Sequence, residues 1–330
     1  MKSAKTLLFS CLLCCSAISA TESSYIAPLA SKSMLLDITA TEQTLLAVGE
    51  RGHVLISDDS GSTWTQKVVP TKSTLTAAFA LDDNIWAVGH DAVILHSADK
   101  GETWSQQQFL PELERPLLDV YFFNAEQGIA IGAYGVFFRT QDGGQSWERE
   151  YHPTFLHPDD QAYVEELKAE DEEFYRQEMA SILPHLNRVT ADEQRLIVVG
   201  ESGLVAFSDD FGESWQRVET NYYGSFFGVA KLSDGTVMAA GLRGSLYLSK
   251  DNMENWTRAE ANTTATFNSV IPVTEHNALL VGNNGAVAYY NDGAIKVTKQ
   301  KDGENVIDAV TMDNEAIAVS AVGFKSFPLN

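Results

Sequence analysis

The sequence is poor in cysteine, in basic residues and in long apolar runs. All three cysteines lie within residues 1–20, so the rest of the chain has no thiol from which to build a disulfide framework. Only 23 lysines and arginines stand against 45 acidic residues, a net charge of −22, which disfavours nucleic acid and anionic membrane surfaces as partners. No stretch reaches the roughly 18 apolar residues that a transmembrane helix needs. These absences argue against a disulfide scaffold, a nucleic-acid-binding protein and direct membrane insertion.

Residues 1–20 have the composition of a secretory signal peptide. Two lysines precede an apolar run from Leu7 to Leu13, and small residues end the segment. Cleavage there would leave 21 basic against 45 acidic residues, a net charge of −24, in a periplasmic or secreted protein. A lipoprotein acylated at Cys11 or Cys15 is the alternative, although the residues flanking both cysteines fit an acylation site poorly.

The rest of the chain is built on a repeat of about 40 residues. Five units contain an aspartate hairpin, an eight-residue segment that begins with serine or threonine, has aspartate at its third position and ends in tryptophan. The pairs are Asp59 and Trp64, Asp99 and Trp104, Asp142 and Trp147, Asp210 and Trp215, and Asp251 and Trp256. Because aspartate accepts backbone N–H groups inside a turn and tryptophan can pack between sheets, we interpret these residues as structural. Strand-like segments at this period are typical of a β-propeller.

A second marker gives the number of blades. Small residues flank a two-residue turn about eight residues before each aspartate hairpin. This marker occurs seven times along the chain, beginning at Gly49, Gly89, Gly132, Gly200, Gly241, Gly282 and Ser320. An apolar strand lies on each side of every marker, and another precedes each pair, which is a hairpin pattern. The sequence therefore predicts an all-β, seven-bladed propeller of four-stranded blades, forming a single domain over residues 21–330.

The repeat is broken in two places. The seventh unit stops after its third strand, so the strand-like residues 24–30 are predicted to supply its outer strand and close the ring. The tryptophans of the third and fourth aspartate hairpins, Trp147 and Trp215, are 68 residues apart, against 40 between those of the first two. This spacing predicts an insertion over residues 151–185 between blades 3 and 4. Within it, residues 159–178 carry nine acids and two bases, and helix formers dominate. We expect one acidic helix, docked on the ring by Tyr163, Leu167, Phe174 and Met179.

Motifs for catalysis are absent from the sequence. It has no Walker loop, zinc-ligand spacing or nucleophile elbow. The aspartate hairpin resembles the Asp box, or bacterial neuraminidase repeat, of sialidases. Those enzymes need three arginines, largely from inner strands, to hold a substrate carboxylate, whereas the predicted inner strands here contain only Arg188. The sequence favours a non-enzymatic protein without a cofactor, and an Asp-box glycoside hydrolase or carbohydrate-binding propeller is the alternative.

One column of inner-strand residues is predicted to line the central channel. Its members are Asp37, Ala77, Asp119, Arg188, Gly228, Ser269 and Asp308. Ring closure brings Asp308 towards Asp37, and close carboxylates share a proton, pair with a cation such as Arg188, or bind a metal ion such as calcium. Hydrogen bonds from these aspartates to backbone groups of the channel wall are a further alternative.

Chain geometry predicts which face binds a partner. In a four-stranded meander, the turn from the second to the third strand and the crossing between blades lie on one side, opposite the aspartate hairpins. Short rigid turns with variable side chains often carry recognition, and arginine and tyrosine are frequent interface anchors. The candidates are Arg51, His90, Tyr134, Arg243 and Asn284 on the turns, and Tyr163, Glu166, Glu173 and Phe174 on the insertion.

Taken whole, the chain resembles the photosystem II stability and assembly factor family of seven-bladed Asp-box propellers. The resemblance runs from Tyr25 onwards and is most specific between Leu117 and Trp147. It implies a chaperone-like scaffold that holds a membrane protein during assembly through an arginine-bearing face, where Arg51 and Arg243 would lie. We therefore expect an exported monomer whose partner is a membrane-associated protein, such as a membrane complex or a transporter.

Overall fold

The computed structural model describes residues 22–41, 44–192, 194–312 and 314–329. These residues form seven antiparallel sheets, each from strands consecutive in sequence, with four strands in the first six and three in the seventh. The inner strands of successive sheets contact one another, and the first contacts the seventh, so the sheets form a closed ring. The seven-bladed architecture is confirmed. The predicted signal peptide, with all three cysteines, lies outside the described residues.

The first four sheets span residues 35–217. Their strands are β1 (Leu35–Ala40), β2 (Leu45–Gly49), β3 (His53–Ser57) and β4 (Thr65–Lys67); β5 (Leu75–Leu81), β6 (Asn84–Gly89), β7 (Ile94–Ser97) and β8 (Ser105–Gln108); β9 (Leu117–Phe122), β10 (Gly128–Gly132), β11 (Phe137–Thr140) and β12 (Glu148–Arg149); and β13 (Leu186–Asp192), β14 (Arg195–Gly200), β15 (Val205–Ser208) and β16 (Gln216–Arg217).

The last three sheets complete the ring. Their strands are β17 (Phe226–Lys231), β18 (Val237–Gly241), β19 (Leu246–Ser249) and β20 (Thr257–Arg258); β21 (Phe267–Pro272), β22 (Asn277–Gly282), β23 (Ala286–Asn291) and β24 (Ala294–Lys299); and β25 (Val306–Met312), β26 (Glu315–Ser320) and β27 (Gly323–Pro328).

The core lies between neighbouring sheets rather than at the centre of the ring. Each second strand is packed on both faces, so its residues are almost continuously apolar and buried, as in β2 and β10. Outer strands such as β4 are short and partly exposed. Because every interface between sheets repeats the same packing, the period of the sequence directly gives the period of the fold.

The structure does not support the predicted closing strand. Residues 24–27 are not paired in any sheet and are followed by a helical turn, Ala30–Lys32. The Ser24 N–H donates to the Val69 carbonyl at 2.8 Å, and the Ala27 N–H donates to the Gln66 side chain at 2.7 Å. These donors are therefore directed at the first sheet, and the seventh keeps three strands among the described residues.

The insertion between the third and fourth sheets contains two helices instead of the single predicted one. They are α1 (Pro158–Glu170) and α2 (Glu172–Ile182). Asp171 separates them, because its extended backbone ends α1 and its carboxylate accepts the N–H groups of Glu173 and Phe174, both at 3.0 Å. Among the described residues, neither these helices nor any other is long and apolar enough to cross a bilayer.

The side chains that dock on the ring differ in part from those expected. Leu167 and Met179 are buried, as expected. Tyr163 and Phe174 are instead 45% and 46% exposed, and their neighbours Val164 and Tyr175 are buried in their place. The docking prediction for Tyr163 and Phe174 was therefore wrong by one helical position.

Candidate functional site

The turns between second and third strands lie on the same face as the crossings between blades. A Cβ added at Gly89 would collide with the Thr74 carbonyl oxygen just before the inner strand of its own sheet. One added at Gly203 would collide with the Tyr222 carbonyl oxygen, in the crossing to the next sheet. Glycine is required at these positions because the backbone of the crossing passes directly against the turn.

The turn residues proposed from the sequence are exposed on this face. Arg51, Tyr134, Arg243 and Asn284 occupy the same left-handed position of their turns, with φ between 53° and 58°, whereas His90 precedes that position. All five are exposed. They are distributed around the face rather than gathered in one cluster, and Tyr134 is the one that meets the insertion.

Two arginines fasten the insertion to this face. Arg115 donates from Nη1 to the Ala180 carbonyl at 2.5 Å. Arg217 donates from Nη1 to the Phe155 carbonyl at 2.5 Å and from Nη2 to the Ser202 carbonyl at 2.9 Å. Each guanidinium thereby joins the ring to the insertion through backbone groups. The other proposed insertion residues, Glu166 and Glu173, are exposed on the helices.

A groove of about 500 Å³ lies where the insertion meets the crossing from the fourth to the fifth sheet. We call it the insertion groove; it is lined by Tyr134, Phe155, Leu156, His157, Asp160, Ser181, Ile182, Leu183, Pro184, Glu201, Ser202, Arg217, Glu219, Tyr222 and Tyr223. Sequence reasoning missed Tyr222 and Tyr223, the latter 81% exposed. The available signal was a pair of adjacent tyrosines in a crossing on the predicted face.

The channel column of the sequence forms a charged cluster around Arg188. Its Nη1 lies 3.1 Å from Asp37 Oδ1, its Nη2 lies 3.7 Å from Asp308 Oδ2, and its Nε lies 3.9 Å from Asp119 Oδ2. The carboxylates also accept backbone N–H groups, from Ala78 to Asp37 and from Val189 to Asp119, both at 2.8 Å. The aspartates thus both pair with Arg188 and accept hydrogen bonds from the backbone of the channel wall, two arrangements that were predicted from the sequence as alternatives.

Burial dominates the titration of two carboxyl groups in this cluster. It raises the pKa of Asp119 to about 6, against the opposing attraction of Arg188, and raises the pKa of Asp308 well above its ordinary value. Burial alone would lower the pKa of Arg188, but the three surrounding carboxylates raise it. The guanidinium is therefore committed to these aspartates and is poorly placed to hold a substrate carboxylate. In the described part of the chain, no three histidine, aspartate or glutamate side chains are grouped to hold a metal ion, at Asp37 and Asp308 or elsewhere.

The aspartate hairpins lie at the far end of the third strands, away from the turn face. In the second sheet, Asp99 accepts the Thr103 N–H at 2.8 Å and the hydroxyl groups of Thr103 and Ser97 at 2.6 and 2.8 Å. These bonds, with that of the Thr103 side chain largest, lower the pKa of Asp99 to about 2. The same arrangement recurs at Asp59, Asp142 and Asp210, and at Asp251 the side-chain amide of Asn255 donates in place of the hydroxyl group four residues on.

Comparison with known proteins gives a consistent family and fold. The family described as "Photosynthesis system II assembly factor YCF48" matches residues 20–115 and 106–306. No curated protein matches the sequence. The structure of YCF48 bound to D1 peptide is 16% identical, with a TM-score of 0.68, covering 94% of this chain and 100% of that one.

Two further structures show the same fold. YCF48 from Cyanidioschyzon merolae is 16% identical, with a TM-score of 0.67 over 91% of this chain and 97% of its own. The computationally designed protein Ika8 is 11% identical, with a TM-score of 0.59 over 90% of this chain and 84% of its own. At these identities the structural likeness concerns the fold alone.

Proposed function

The chain belongs to the YCF48 family of photosystem II assembly factors, and from that premise we propose that it is an exported, non-enzymatic scaffold that binds a protein partner. The partner is a membrane-associated protein, such as a membrane complex or a transporter, and the scaffold acts as a monomer in the periplasm or outside the cell. The presence of a D1 peptide on one solved YCF48 supports a polypeptide as the class of ligand.

The turn face with its insertion is the surface that we assign to the partner. The observation that carries this assignment is the concentration of exposed aromatic side chains there: Tyr134, Tyr163, Phe174 and Tyr223 are 45% to 81% exposed. Large exposed aromatic groups on a rigid surface are typical interface anchors. Arg51 and Arg243 extend the same face around the ring.

Site-specific cross-linking in the producing cell tests this proposal. Tyr134 is replaced by photoreactive p-benzoylphenylalanine, and Phe211, 42% exposed on the hairpin side, receives the same replacement as a matched control. We expect a discrete cross-linked protein from position 134 and none from position 211. Failure to cross-link at 134, or equal products from both positions, would contradict the assignment. Hydrolysis of a fluorogenic sialoside by the purified protein would refute the non-enzymatic reading.

A further inference from the structure

The insertion groove has the features of a peptide site selective for positive charge. We propose that it binds an extended, basic segment of the partner polypeptide that places one aromatic or bulky aliphatic side chain in the groove. This inference rests on the proposed function, because it names the chemistry of the partner segment. Three properties of the groove carry it: an apolar floor, an aromatic wall and an acidic rim.

The floor is apolar and fixed in place. Phe155, Leu156, Leu183 and Pro184 are buried beneath the groove. Phe155 packs against the buried Trp215 with ring centroids 5.2 Å apart, which anchors the insertion side of the floor to the fourth sheet. A volume of about 500 Å³ lies within the usual size of ligand sites and suits a large side chain with its flanking backbone.

The wall consists of tyrosines held at different depths. Tyr222 is half-buried and packs at a tilt against Phe226 and Tyr247, with ring centroids 4.7 and 5.2 Å from its own. Tyr223 beside it is 81% exposed. An exposed tyrosine ring attracts ammonium and guanidinium groups through its face, and Arg115 already lies 5.0 Å from the ring centroid of Tyr134.

The rim is acidic. Asp160, Glu201 and Glu219 surround the opening. The side chain of Glu201 is 42% exposed, although its Oε1 lies 3.6 Å from Nδ1 of His185. Among the described residues that line the groove, Arg217 is the one arginine, and its guanidinium donates to two backbone carbonyl groups. Three carboxylates thus face the opening, and the guanidinium of Arg217 is already hydrogen-bonded elsewhere. A positively charged ligand would therefore complement the charge of this opening.

The helices of the insertion add further negative charge near the groove. Residues 159–178 contain nine acids and two bases. The two bases are already engaged, since Arg176 pairs with Glu172 at 3.1 Å and Lys168 lies over the ring of Tyr175. An approaching segment therefore meets an excess of unpaired carboxylates, which accelerates the association of basic partners and repels acidic ones.

Binding of two short probe peptides to the full chain tests the inference. The probes are fluorescein-labelled Lys-Trp-Lys-Leu-Lys-Gly and its charge-reversed counterpart Glu-Trp-Glu-Leu-Glu-Gly, measured by fluorescence anisotropy at low and physiological salt. We expect binding of the lysine peptide, weakening as salt rises, and at least roughly tenfold weaker binding of the glutamate peptide. Glu201→Gln combined with Glu219→Gln should weaken the lysine peptide about fivefold.

A matched control separates the groove from the general negative charge. Glu213→Gln combined with Glu254→Gln removes two exposed carboxylates from the hairpin side and should leave binding unchanged. Equal loss in both double variants, or equal binding of both peptides, would overturn the inference. These outcomes differ from failure of the proposed function: a cross-link at position 134 with no preference for the lysine peptide keeps the scaffold and rejects only the basic segment.

Discussion

Replacing Arg188 with methionine should strongly destabilise the ring, by an amount that depends on pH. The guanidinium is the cation shared by Asp37, Asp119 and Asp308, all at least nine-tenths buried. Removing one partner of a buried ion pair costs about 3–5 kcal/mol, because the remaining charges are left uncompensated. We expect a loss of this size in the free energy of unfolding at pH 7.5.

The sign of the pH dependence follows from the raised carboxyl pKa values. With a pKa of about 6 in the folded protein and about 3.9 unfolded, Asp119 contributes stability that is fully present below pH 4 and lost as the pH rises through 6, about 3 kcal/mol in total. Without Arg188, whose charge lowers the pKa values of Asp119 and Asp308, these two carboxyl groups take up protons more readily still. The cost of Arg188→Met should therefore be smaller at pH 5.0 than at pH 7.5, by roughly 1–2 kcal/mol.

Urea denaturation followed by tryptophan fluorescence at the two pH values measures this difference, provided that the slope of the transition is unchanged. Arg176→Met is the control, because its pair with Glu172 is exposed and should contribute nothing measurable. Adding Asp37→Asn to Arg188→Met should recover part of the loss. An equal cost at both pH values, or a cost below about 1 kcal/mol at pH 7.5, would refute the reasoning.

Two further predictions concern the repeat itself. Asp99→Ala should lower the melting temperature without weakening partner binding, because the bonds of this carboxylate within the described structure are made to its own hairpin. Since the pKa of Asp99 is lowered to about 2, its contribution is present above pH 4 and should disappear as the pH falls towards 2, which thermal scans of both proteins measure. Gly89→Ala should destabilise the protein more than Gly235→Ala in urea titrations, because a Cβ at Gly89 would collide with a backbone carbonyl oxygen. A Cβ at Gly235 would have no atom within 4 Å, so Gly235→Ala should cost only the strain of its left-handed φ of 90°, about 1–2 kcal/mol. A larger effect at Gly235 would contradict this reasoning, because it would mean that the backbone at Thr74 moves away from the added Cβ at little cost.

Most of the ring could be predicted from the sequence because its contacts are local and repeated. Inner strands begin at the predicted residues, such as Leu35 and Phe226. The channel column occupies equivalent positions because the strand register shifts in the same way after the first residue of each inner strand. The break between α1 and α2 was missed, although Asp171 followed by two glutamates is a helix-start signal in the sequence.

The remaining features depend on contacts between distant residues. The position of residues 24–27 is decided by hydrogen bonds to Gln66 and Val69, which no pattern in that segment indicates. The insertion groove exists only because the crossing that contains Tyr222 and Tyr223 meets residues 155–157 and 181–184. Neither contact leaves a period or a motif in the sequence, so both had to come from the structure.

Among the described residues the seventh sheet has three strands, and its junction with the first sheet differs from the other junctions of the ring. At the other junctions the chain itself connects a complete four-stranded sheet to the next sheet. The first and seventh sheets instead meet through side-chain packing, in which the rings of Trp64 and Phe324 are stacked with their centroids 3.7 Å apart. Opening there requires no strand to leave its sheet. In its connectivity the ring is a linear array of seven sheets whose two ends are in contact. We therefore expect a ligand that bridged β27 and β4 to stabilise the closed ring.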